Sequence, residues 1–347
     1  MTDRDLSLAG EDRLLLTASP HLKSPDSTPK IMWNVVGSLV PVVAVAIYYF
    51  GPSAILVMAA AISGAMGVEW LFGPKKSLWD GSAAITGILL GLCLPAGIPL
   101  WMAFLGGAFG VAFGKLVFGG LGQNPFNPAL VGRAFLQAAF PIAITTWPST
   151  AMEWGAWRGT NFALPLQVGE TGADVVTAAT PLGLWKFEGE VTEFLSLMMG
   201  NTGGSLGETA GILILICGGY LAARKYLNWR IPVGIFATVF LFSEILYLIN
   251  GEVYPPPFFM IFSGGLMLGA MYMATDMVTS PVTNLGSWIF AVGIGLLVVL
   301  IRVWGGLPEG VMYAILFMNA FVPFINRATQ PRVFGHAPKK RVREAQA

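Results

Sequence analysis

The chain has 347 residues, of which 55% are hydrophobic and only 11% are charged, and it contains 43 glycines. Soluble domains carry roughly 25% charged residues, so this composition indicates that most of the chain lies in lipid. The formal net charge of +1 gives no support for nucleic-acid binding. Residues 1–30 are polar, of mixed charge and unlike a signal peptide, so we expect a soluble tail there.

Ten apolar segments follow this tail, and most of them reach the roughly 20 residues that a helix needs to cross a bilayer. The third segment is short and ends in a proline-rich turn, and the eighth is crowded with glycines, so we expect both helices to be interrupted. The sequence therefore predicts an all-α polytopic membrane protein with about ten transmembrane helices. The segments are about 31–50, 53–73, 82–95, 98–118, 129–147, 209–227, 231–249, 257–275, 286–305 and 308–325.

The distribution of lysine and arginine predicts the orientation of these helices. If the N-terminus is inside, the basic residues concentrate in cytoplasmic loops and tails, as is usual, and the outside loops carry few of them. Arg158, Lys186 and Arg302 are the exceptions, and they lie in acidic or apolar sequence. We therefore expect both termini in the cytoplasm. The inside set is Lys75, Lys76, Arg224, Lys225, Arg230, Arg327, Arg332, Lys339, Lys340, Arg341 and Arg343.

A long acidic interval, 148–208, falls on the outside and divides the chain into two sets of five helices. An odd number of helices in each half gives the halves opposite orientations, as in an inverted repeat. Met102–Gly107 echoes Met260–Gly265, although glycine-rich apolar segments also resemble each other by chance. We expect two five-helix inverted repeats in a urea-channel-like arrangement. The expected regions are a tail at 1–30, membrane halves at 31–147 and 209–325, the extracytoplasmic loop 148–208, and a basic cytoplasmic tail at 326–347.

The most distinctive motif of this interval is Asp-Val-Val-Thr-Ala-Ala-Thr at 174–180, which a proline follows. The proline favours an extended conformation at Thr180, and the two small alanines leave its hydroxyl accessible. Asp174 and Thr177 are residue types that hydrogen-bond nearby backbone in turns. Considered alone, the pattern is typical of a turn in which Thr177 or Thr180 caps the residues that follow.

The same seven residues resemble the flavinylation motif Asp-x-x-(Ser/Thr)-(Gly/Ala)-Ala-Thr. Other stretches resemble the RnfD subunits of Rnf electron-transport complexes, and the run Gly-Gly-Leu-Gly-Gln-Asn-Pro-Phe-Asn-Pro-Ala is highly specific. The resemblance covers about 19–337, with a departure at Met277, where the family usually has proline. NqrB subunits of sodium-pumping NADH:quinone reductases share the architecture but have longer N-termini, which favours the Rnf type. The stretches are 19–21, 80–83, 119–129, 274–281 and 331–336.

The resemblance implies a membrane subunit of a redox-driven pump, or translocase, that passes electrons between ferredoxin and NAD⁺ and moves Na⁺ or H⁺. It implies that a dedicated flavin transferase links FMN through its phosphate to Thr180, as one relay among the flavins and iron–sulfur centres of the complex. Asp174 and Thr177 are the other expected cofactor-binding residues, and the implied location is a bacterial inner membrane. The related NqrB subunit also holds a noncovalent riboflavin, so a second flavin is a further expectation. The expected partners are the other Rnf subunits, the flavin transferase and membrane lipid.

Charged side chains at membrane depth are costly and generally functional. Glu244 lies within the seventh segment and is either a carboxylate of an ion path or a protonated or paired structural group. Asp276, Asn124 and Asn127 are further candidates for an ion path or cavity. Arg133 follows what resembles a helix start, and the alternatives for it are contact with a flavin, with a partner carboxylate, or with Asp276.

Five other residues receive structural interpretations. Glu69, Asp80 and Lys115 are expected to extend their side chains to the membrane interface. Cys93 and Cys217 lie in apolar segments, and we expect small core residues there rather than a disulfide or ligands of a cluster. The two histidines lie in the tails, where we expect no metal site.

Two other classes of function remain open at this point. Paired five-helix halves with interrupted helices also build channels and passive transporters of the urea-channel kind. The outside flavinylation motif is the feature that such a channel would not need. A third interpretation is an assembly scaffold in which the motif is not used.

Overall fold

Helices form most of the part of the chain that the structure describes. The computed structural model describes residues 26–75, 77–148, 155, 159–165, 178–200, 202–208 and 211–331. A 3-10 turn lies at Ser77–Trp79, and π turns at Ala112–Leu116, Leu184–Glu188 and Gly269–Met273 each continue a helix. The helices are α1 (Thr28–Phe50), α2 (Pro52–Phe72), α3 (Ser82–Leu92), α4 (Leu100–Val111), α5 (Pro128–Ala139), α6 (Pro141–Thr145), α7 (Pro181–Gly183), α8 (Phe194–Met199), α9 (Gly211–Ala223), α10 (Arg230–Ile249), α11 (Pro257–Phe262), α12 (Leu266–Leu268), α13 (Asn284–Trp304) and α14 (Val311–Thr329).

Five of these helices are long and apolar enough to cross a membrane: α1, α2, α10, α13 and α14, which have between 19 and 23 residues. Shorter apolar helices cover Ser82–Leu92, Leu100–Leu116 and Gly211–Ala223. Each of the ten predicted segments contains a helix. The prediction of a helical membrane protein is therefore confirmed, whereas ten membrane crossings in two inverted repeats stay a prediction.

The third and eighth segments are interrupted, as their sequences predict. α3 ends at Leu92, and a loop connects it to α4. The eighth segment breaks between α11 and α12, where Gly264 has a φ of +65°. Residues other than glycine are strained at positive φ. A Cβ at Gly264 would also lie 2.7 Å from Cδ1 of Leu182. Glycine is therefore required at this break.

The start of α5 has a clear local cause. Oδ1 of Asn127 accepts hydrogen bonds from the backbone nitrogens of Ala129 at 3.0 Å and Leu130 at 3.3 Å. Pro128 occupies the first helical position, where its missing N–H is no loss. With a rise of 1.5 Å per residue, Arg133 lies about 9 Å further along the helix axis than Asn127.

Glycines allow the helices of the first half to approach closely. A Cβ at Gly64 of α2 would overlap the backbone carbonyl of Phe104 on α4, and a Cβ at Gly107 of α4 would overlap that of Ala61 on α2. Small residues at helix contacts are typical of membrane proteins, because lipid gives no hydrophobic drive for helix association and close packing takes its place. This close packing fixes the relative positions of the helices that carry the polar side chains.

Candidate functional site

Thr180 caps the short helix α7. Its backbone is extended, with φ −72° and ψ 153°, and its Oγ1 accepts a hydrogen bond from the backbone nitrogen of Gly183 at 3.1 Å. The capping role that the sequence pattern predicts is therefore confirmed for Thr180. The residue is only 6% exposed, so it is more enclosed than its small neighbouring alanines predict. Asp174 and Thr177 lie outside the described residues.

Thr180 forms part of the wall of a cavity of about 590 Å³, which we call the Thr180 cavity. Its wall combines residues of α5 from the first half of the chain with residues of α14 and the loop before it from the second half. The residues on either side of Thr180 complete the wall. The lining residues are Arg133, Gln137, Thr145, Thr146, Trp147, Ala178, Ala179, Thr180, Gly183, Phe187, Glu188, Gly306, Leu307, Pro308, Glu309, Met312 and Tyr313.

An ion pair between Arg133 and Glu309 lies in this wall. The side chains are 8% and 17% exposed, so the pair is largely removed from water. Of the alternatives for Arg133, a partner carboxylate is confirmed and Asp276 is wrong. The reason is position along α5: the side chain of Asn127 at the start of that helix reaches the backbone oxygen of Met273 at 3.2 Å, and Arg133 lies two turns away.

Two more buried ionisable groups, Glu208 and Arg302, lie close to this pair. Oε1 of Glu208 accepts a hydrogen bond from the hydroxyl of Ser205 at 2.7 Å. The guanidinium of Arg302, which is fully buried, donates to the backbone oxygens of Met260 and Ser263, the latter at 2.9 Å, beside the break between α11 and α12. We call Arg133, Glu208, Arg302 and Glu309 the buried charge cluster.

Sequence reasoning misses Glu208, Arg302 and Glu309 as site residues. In the sequence Glu208 is one of many acidic residues of the outside interval, and Arg302 is an exception to the charge rule. Glu309 stands in a short Pro-Glu-Gly turn between two apolar helices, which is a signal that could have singled it out.

A second cluster surrounds Lys115 on the π turn that follows α4. Its Nζ lies 2.6 Å from Oε1 of Glu69 on α2 and donates to the hydroxyl of Ser82 at 2.6 Å. The side chains of Lys115 and Glu69 are 3% and 0% exposed, so the prediction that they extend to the interface is wrong. Each finds its counter-charge inside the helix bundle instead. Asp80 is half-buried and accepts a hydrogen bond from Ser82.

Asn124, Asn127 and Asp276 share a cavity with Lys115, which we call the Lys115 cavity and which measures about 90 Å³. The grouping of these three predicted candidates is therefore seen in the structure, at a place distinct from the Thr180 cavity. Asp276 accepts hydrogen bonds from the backbone nitrogen of Val278 at 3.3 Å and from the hydroxyl of Thr279 at 3.2 Å, so it also shapes its own turn.

Glu244 lies apart from both cavities. It is half-buried on α10, where its neighbours Leu241, Ile245 and Leu248 are exposed. Among the described residues no side chain forms an ion pair with Glu244. Cys93 and Cys217 are buried free thiols, in agreement with their interpretation as core residues.

The fold and its two polar cavities define a helical membrane protein with a charged interior, and comparison with known proteins gives its family. The model of the NQR2, RnfD, RnfE family matches residues 15–335. Because the match covers most of the chain, the chain belongs to this family.

Three similar relatives come from different bacteria, and each is the D component of its complex. That of the proton-translocating ferredoxin:NAD(+) oxidoreductase complex of Clostridium ljungdahlii is 40% identical over 334 residues, covering 92% of this chain and 96% of the relative. That of the Na(+)-translocating ferredoxin:NAD(+) oxidoreductase complex of Acetobacterium woodii is 40% identical over 333 residues, covering 94% and 96%. That of the ion-translocating oxidoreductase complex of Stutzerimonas stutzeri is 39% identical over 328 residues, covering 89% and 92%.

Proposed function

We propose that this chain is the membrane-embedded RnfD-type subunit of an ion-translocating ferredoxin:NAD⁺ oxidoreductase of the Rnf type. The observation that carries the proposal is similarity over nearly the whole length to relatives from complexes of that name. The other subunits of the complex are its proposed partners and hold the remaining redox centres. Relatives at the same identity are named for proton and for Na⁺ translocation, so similarity does not select the ion.

The proposed cofactor is FMN, joined through its phosphate to Oγ1 of Thr180. The Thr180 cavity of about 590 Å³ falls within the roughly 300–1,000 Å³ of pockets that bind small molecules. Nε of Arg133 and Oε1 of Glu309 have no hydrogen-bond partner among the described residues, so the wall offers a donor and an acceptor to a polar ring. The residues present therefore fit the group.

The chain's own residues would hold and orient this group. The hydrogen bond from Gly183 uses a lone pair of Thr180 Oγ1 and leaves its hydroxyl proton, which the ester bond replaces, available. The positive charge of Arg133 in the wall stabilises negative charge that enters the cavity. The flavin supplies reversible electron transfer when it is bound, and the covalent bond prevents its loss to the medium.

Covalent attachment of the flavin to Thr180, which we call flavin loading, can be measured without any assay of the complex. The chain is expressed with the flavin transferase, separated on a denaturing gel and examined for flavin fluorescence. We expect fluorescence in the wild type, none in Thr180→Val, and wild-type fluorescence in the control Thr146→Val, which changes another threonine of the same cavity wall. A dark wild-type band would contradict the proposal.

Mass spectrometry of the 148–208 peptide assigns the modified residue. We expect the mass of FMN on Thr180 and an unmodified Thr177. We also propose that Asp174 and Thr177 serve recognition of the motif by the transferase, so Asp174→Asn should lower the loaded fraction without moving the modification. If the mass of FMN is found on Thr177, then Thr177 and not Thr180 is the attachment site.

We further propose that the chain crosses a bacterial inner membrane ten times as two five-helix inverted repeats, with both termini in the cytoplasm and the 148–208 loop outside. Exposed apolar side chains such as Phe72, Ile142 and Leu248 support contact with lipid. A cysteine at Gly155 should react with a membrane-impermeant thiol reagent added to intact cells, and a cysteine at Lys75 should not. The reverse labelling pattern would show that the chain has the opposite orientation in the membrane.

A noncovalent riboflavin is proposed for the Lys115 cavity. The cavity is lined by amide, hydroxyl and charged groups next to apolar ones, which is typical of small-molecule sites. Its volume of about 90 Å³ means that it must widen to admit a flavin. Protein denatured after purification should release one riboflavin, and Asn127→Leu should reduce that amount while the gel fluorescence from Thr180 persists.

A passive channel is the competing function, and the buried charge cluster argues against it. The guanidinium groups of Arg133 and Arg302 lie beside the helix break. Arg302 donates hydrogen bonds to two backbone oxygens there, so these oxygens are not available to coordinate a conducted cation. Liposomes that contain the isolated chain should therefore show no flux of urea or Na⁺ above that of empty liposomes. Flux without a redox partner would favour the channel.

A further inference from the structure

The buried charge cluster contains two carboxyl groups that contact each other. The carboxyl groups of Glu208 and Glu309 lie next to each other, and Glu309 also pairs with Arg133. Two adjacent buried carboxyl groups repel each other when both are ionised, and an ionised carboxylate can only accept hydrogen bonds. A single proton held between them removes this repulsion and supplies the missing donor.

The neighbours decide which carboxyl group carries that proton. Arg133 pairs with Glu309, which favours the ionised form of Glu309. Glu208 receives one hydrogen bond from Ser205 and has no ion pair among the described residues. Both carboxyl groups lie in loops outside the long helices. Burial raises the pKa of Glu208 well above its ordinary value. Burial also raises the pKa of Glu309, but the interactions of its carboxylate with Arg133, Glu208 and Arg302 together outweigh burial and lower that pKa.

The position of Glu208 connects the pair to the interrupted helices. The backbone nitrogen of Gly207 donates to the carbonyl of Leu92 at 2.7 Å, at the end of α3. A Cβ at Gly265, in the break before α12, would lie 3.9 Å from Oε1 of Glu208 and 3.7 Å from a terminal nitrogen of Arg133. The ends of the two interrupted helices therefore meet at this cluster.

Only one member of the pair reaches the Thr180 cavity. Glu309 lines the cavity, whereas Glu208 lies behind it and is 8% exposed. Oε1 of Glu309 has no donor among the described residues apart from a proton on the carboxyl pair itself. The other ionisable groups that face the pair are Arg133 on α5, Arg302 on α13 and the thiol of Cys93 after α3. A proton can therefore enter or leave through Glu309.

We propose that the Glu208–Glu309 pair is a proton-binding site that responds to the charge in the Thr180 cavity. With one proton on the pair, two guanidinium groups face a single carboxylate, and the cluster carries one excess positive charge. A negative charge that enters the cavity stabilises a second proton on the pair, because opposite charges attract strongly where water is scarce.

Under the proposed function, that negative charge is an electron held by the FMN on Thr180. A reduced iron–sulfur centre of another subunit would lose one electron to this group, and the aqueous medium would supply one proton to Glu309 through the cavity. When the electron passes to the next acceptor of the complex, Glu309 would return the proton to the medium. This last step rests on the proposed function, whereas the single proton of the resting pair does not.

The resting proton is tested on the flavin-free chain. The full-length protein is made without the flavin transferase, placed in lipid nanodiscs, and examined by infrared spectroscopy in the carbonyl stretch region of protonated carboxyl groups. We expect a band at neutral pH that shifts in D₂O and disappears in Glu208→Gln, whose amide keeps the size of the side chain and still donates to Glu309. Glu193→Gln, at an exposed carboxyl group outside the Thr180 cavity, should leave the band unchanged. Absence of the band in the wild type, or its survival in Glu208→Gln, overturns the proposal.

The response to charge is tested on the flavin-loaded chain. The reduction potential of the bound flavin is measured by its absorbance at a series of pH values. We expect the potential of the wild type to fall as pH rises and this dependence to weaken in Glu208→Gln and Glu309→Gln, with Glu193→Gln unchanged. Equal pH dependence in all four proteins overturns the coupling. Failure of flavin loading would contradict the proposed function and leave the infrared result intact, so the two failures are distinguishable.

Discussion

Two ion pairs lie inside the part of this helical protein that the structure describes, and they differ in how they are enclosed. The Lys115–Glu69 pair is almost fully buried, with side chains 3% and 0% exposed. The hydroxyl of Ser82 accepts a further hydrogen bond from Lys115. The Arg133–Glu309 pair is more open, at 8% and 17%, and borders a cavity of about 590 Å³. The first pair stands with Ser82 alone, whereas the second belongs to a cluster of four ionisable groups that also contains Glu208 and Arg302.

The difference indicates two roles for buried charge in one fold. The two charges of the Lys115–Glu69 pair neutralise each other, and the pair connects α2 to the π turn after α4 and fixes their relative position. An open cluster with unpartnered polar atoms can respond to a new charge, as Arg133 and Glu309 can. Substitutions that remove one member of each pair test this distinction.

The largest loss of stability is expected for Lys115→Met. This change leaves the carboxylate of Glu69 buried without a counter-charge, which costs about 3–5 kcal/mol in the free energy of unfolding. Thermal unfolding in detergent, followed by tryptophan fluorescence, measures the effect. The double variant Glu69→Leu with Lys115→Met should recover most of the loss, and Lys75→Met, at an exposed lysine, should be neutral. A double variant as unstable as the single one would show that the lysine acts through packing and not through its charge.

A smaller loss is expected for Arg133→Met, measured in the same way on flavin-free protein. Hydrogen bonds to charged groups contribute about 1.5–3 kcal/mol, and water in the Thr180 cavity can solvate Glu309 after the arginine is removed. Arg327→Met, at an exposed arginine of α14, is the control. A loss equal to that of Lys115→Met would remove the contrast between an open and a closed pair.

The positions of the helices could be predicted from the sequence because lipid requires continuous apolar stretches whose backbone bonds are internal. The breaks in the third and eighth segments were visible for the same reason, since proline and glycine interrupt such stretches. Family membership was also predictable, because the specific runs around Asn124 and Asp276 could be matched residue by residue.

The partners of the buried charges could not be predicted. Arg133 and Glu309 are 176 residues apart in the chain, and Lys115 and Glu69 are 46 apart. Hydropathy indicates that a charge lies at membrane depth, but only the tertiary packing brings it to its counter-charge. For the same reason the sequence predicts that Lys115 reaches the interface, which is where an isolated lysine in lipid would go.

Gly264→Ala tests the helix break beside the buried charge cluster. The positive φ costs a residue with a side chain about 1–2 kcal/mol, and the new Cβ would lie 3.2 Å from a terminal nitrogen of Arg302. We expect a lower unfolding temperature. Gly219→Ala on α9, where nothing lies within 4 Å of the added atom, is the matched control and should be neutral or slightly stabilising. Equal effects at both glycines would mean that the break tolerates other conformations.

The smallest effect on stability is expected for Glu244→Gln, at a carboxyl group that belongs to neither cluster. Because Glu244 has no ion pair among the described residues, the change should alter the free energy of unfolding by less than about 0.5 kcal/mol. If Glu244 belongs to an ion path, the assembled complex with this variant should translocate ions more slowly while its flavin content stays normal. If ion translocation in proteoliposomes is unchanged, Glu244 has no transport role, and the charged groups of the two cavities are the next candidates among the described residues. Asp276→Asn in the Lys115 cavity is the comparison that then separates the remaining candidates.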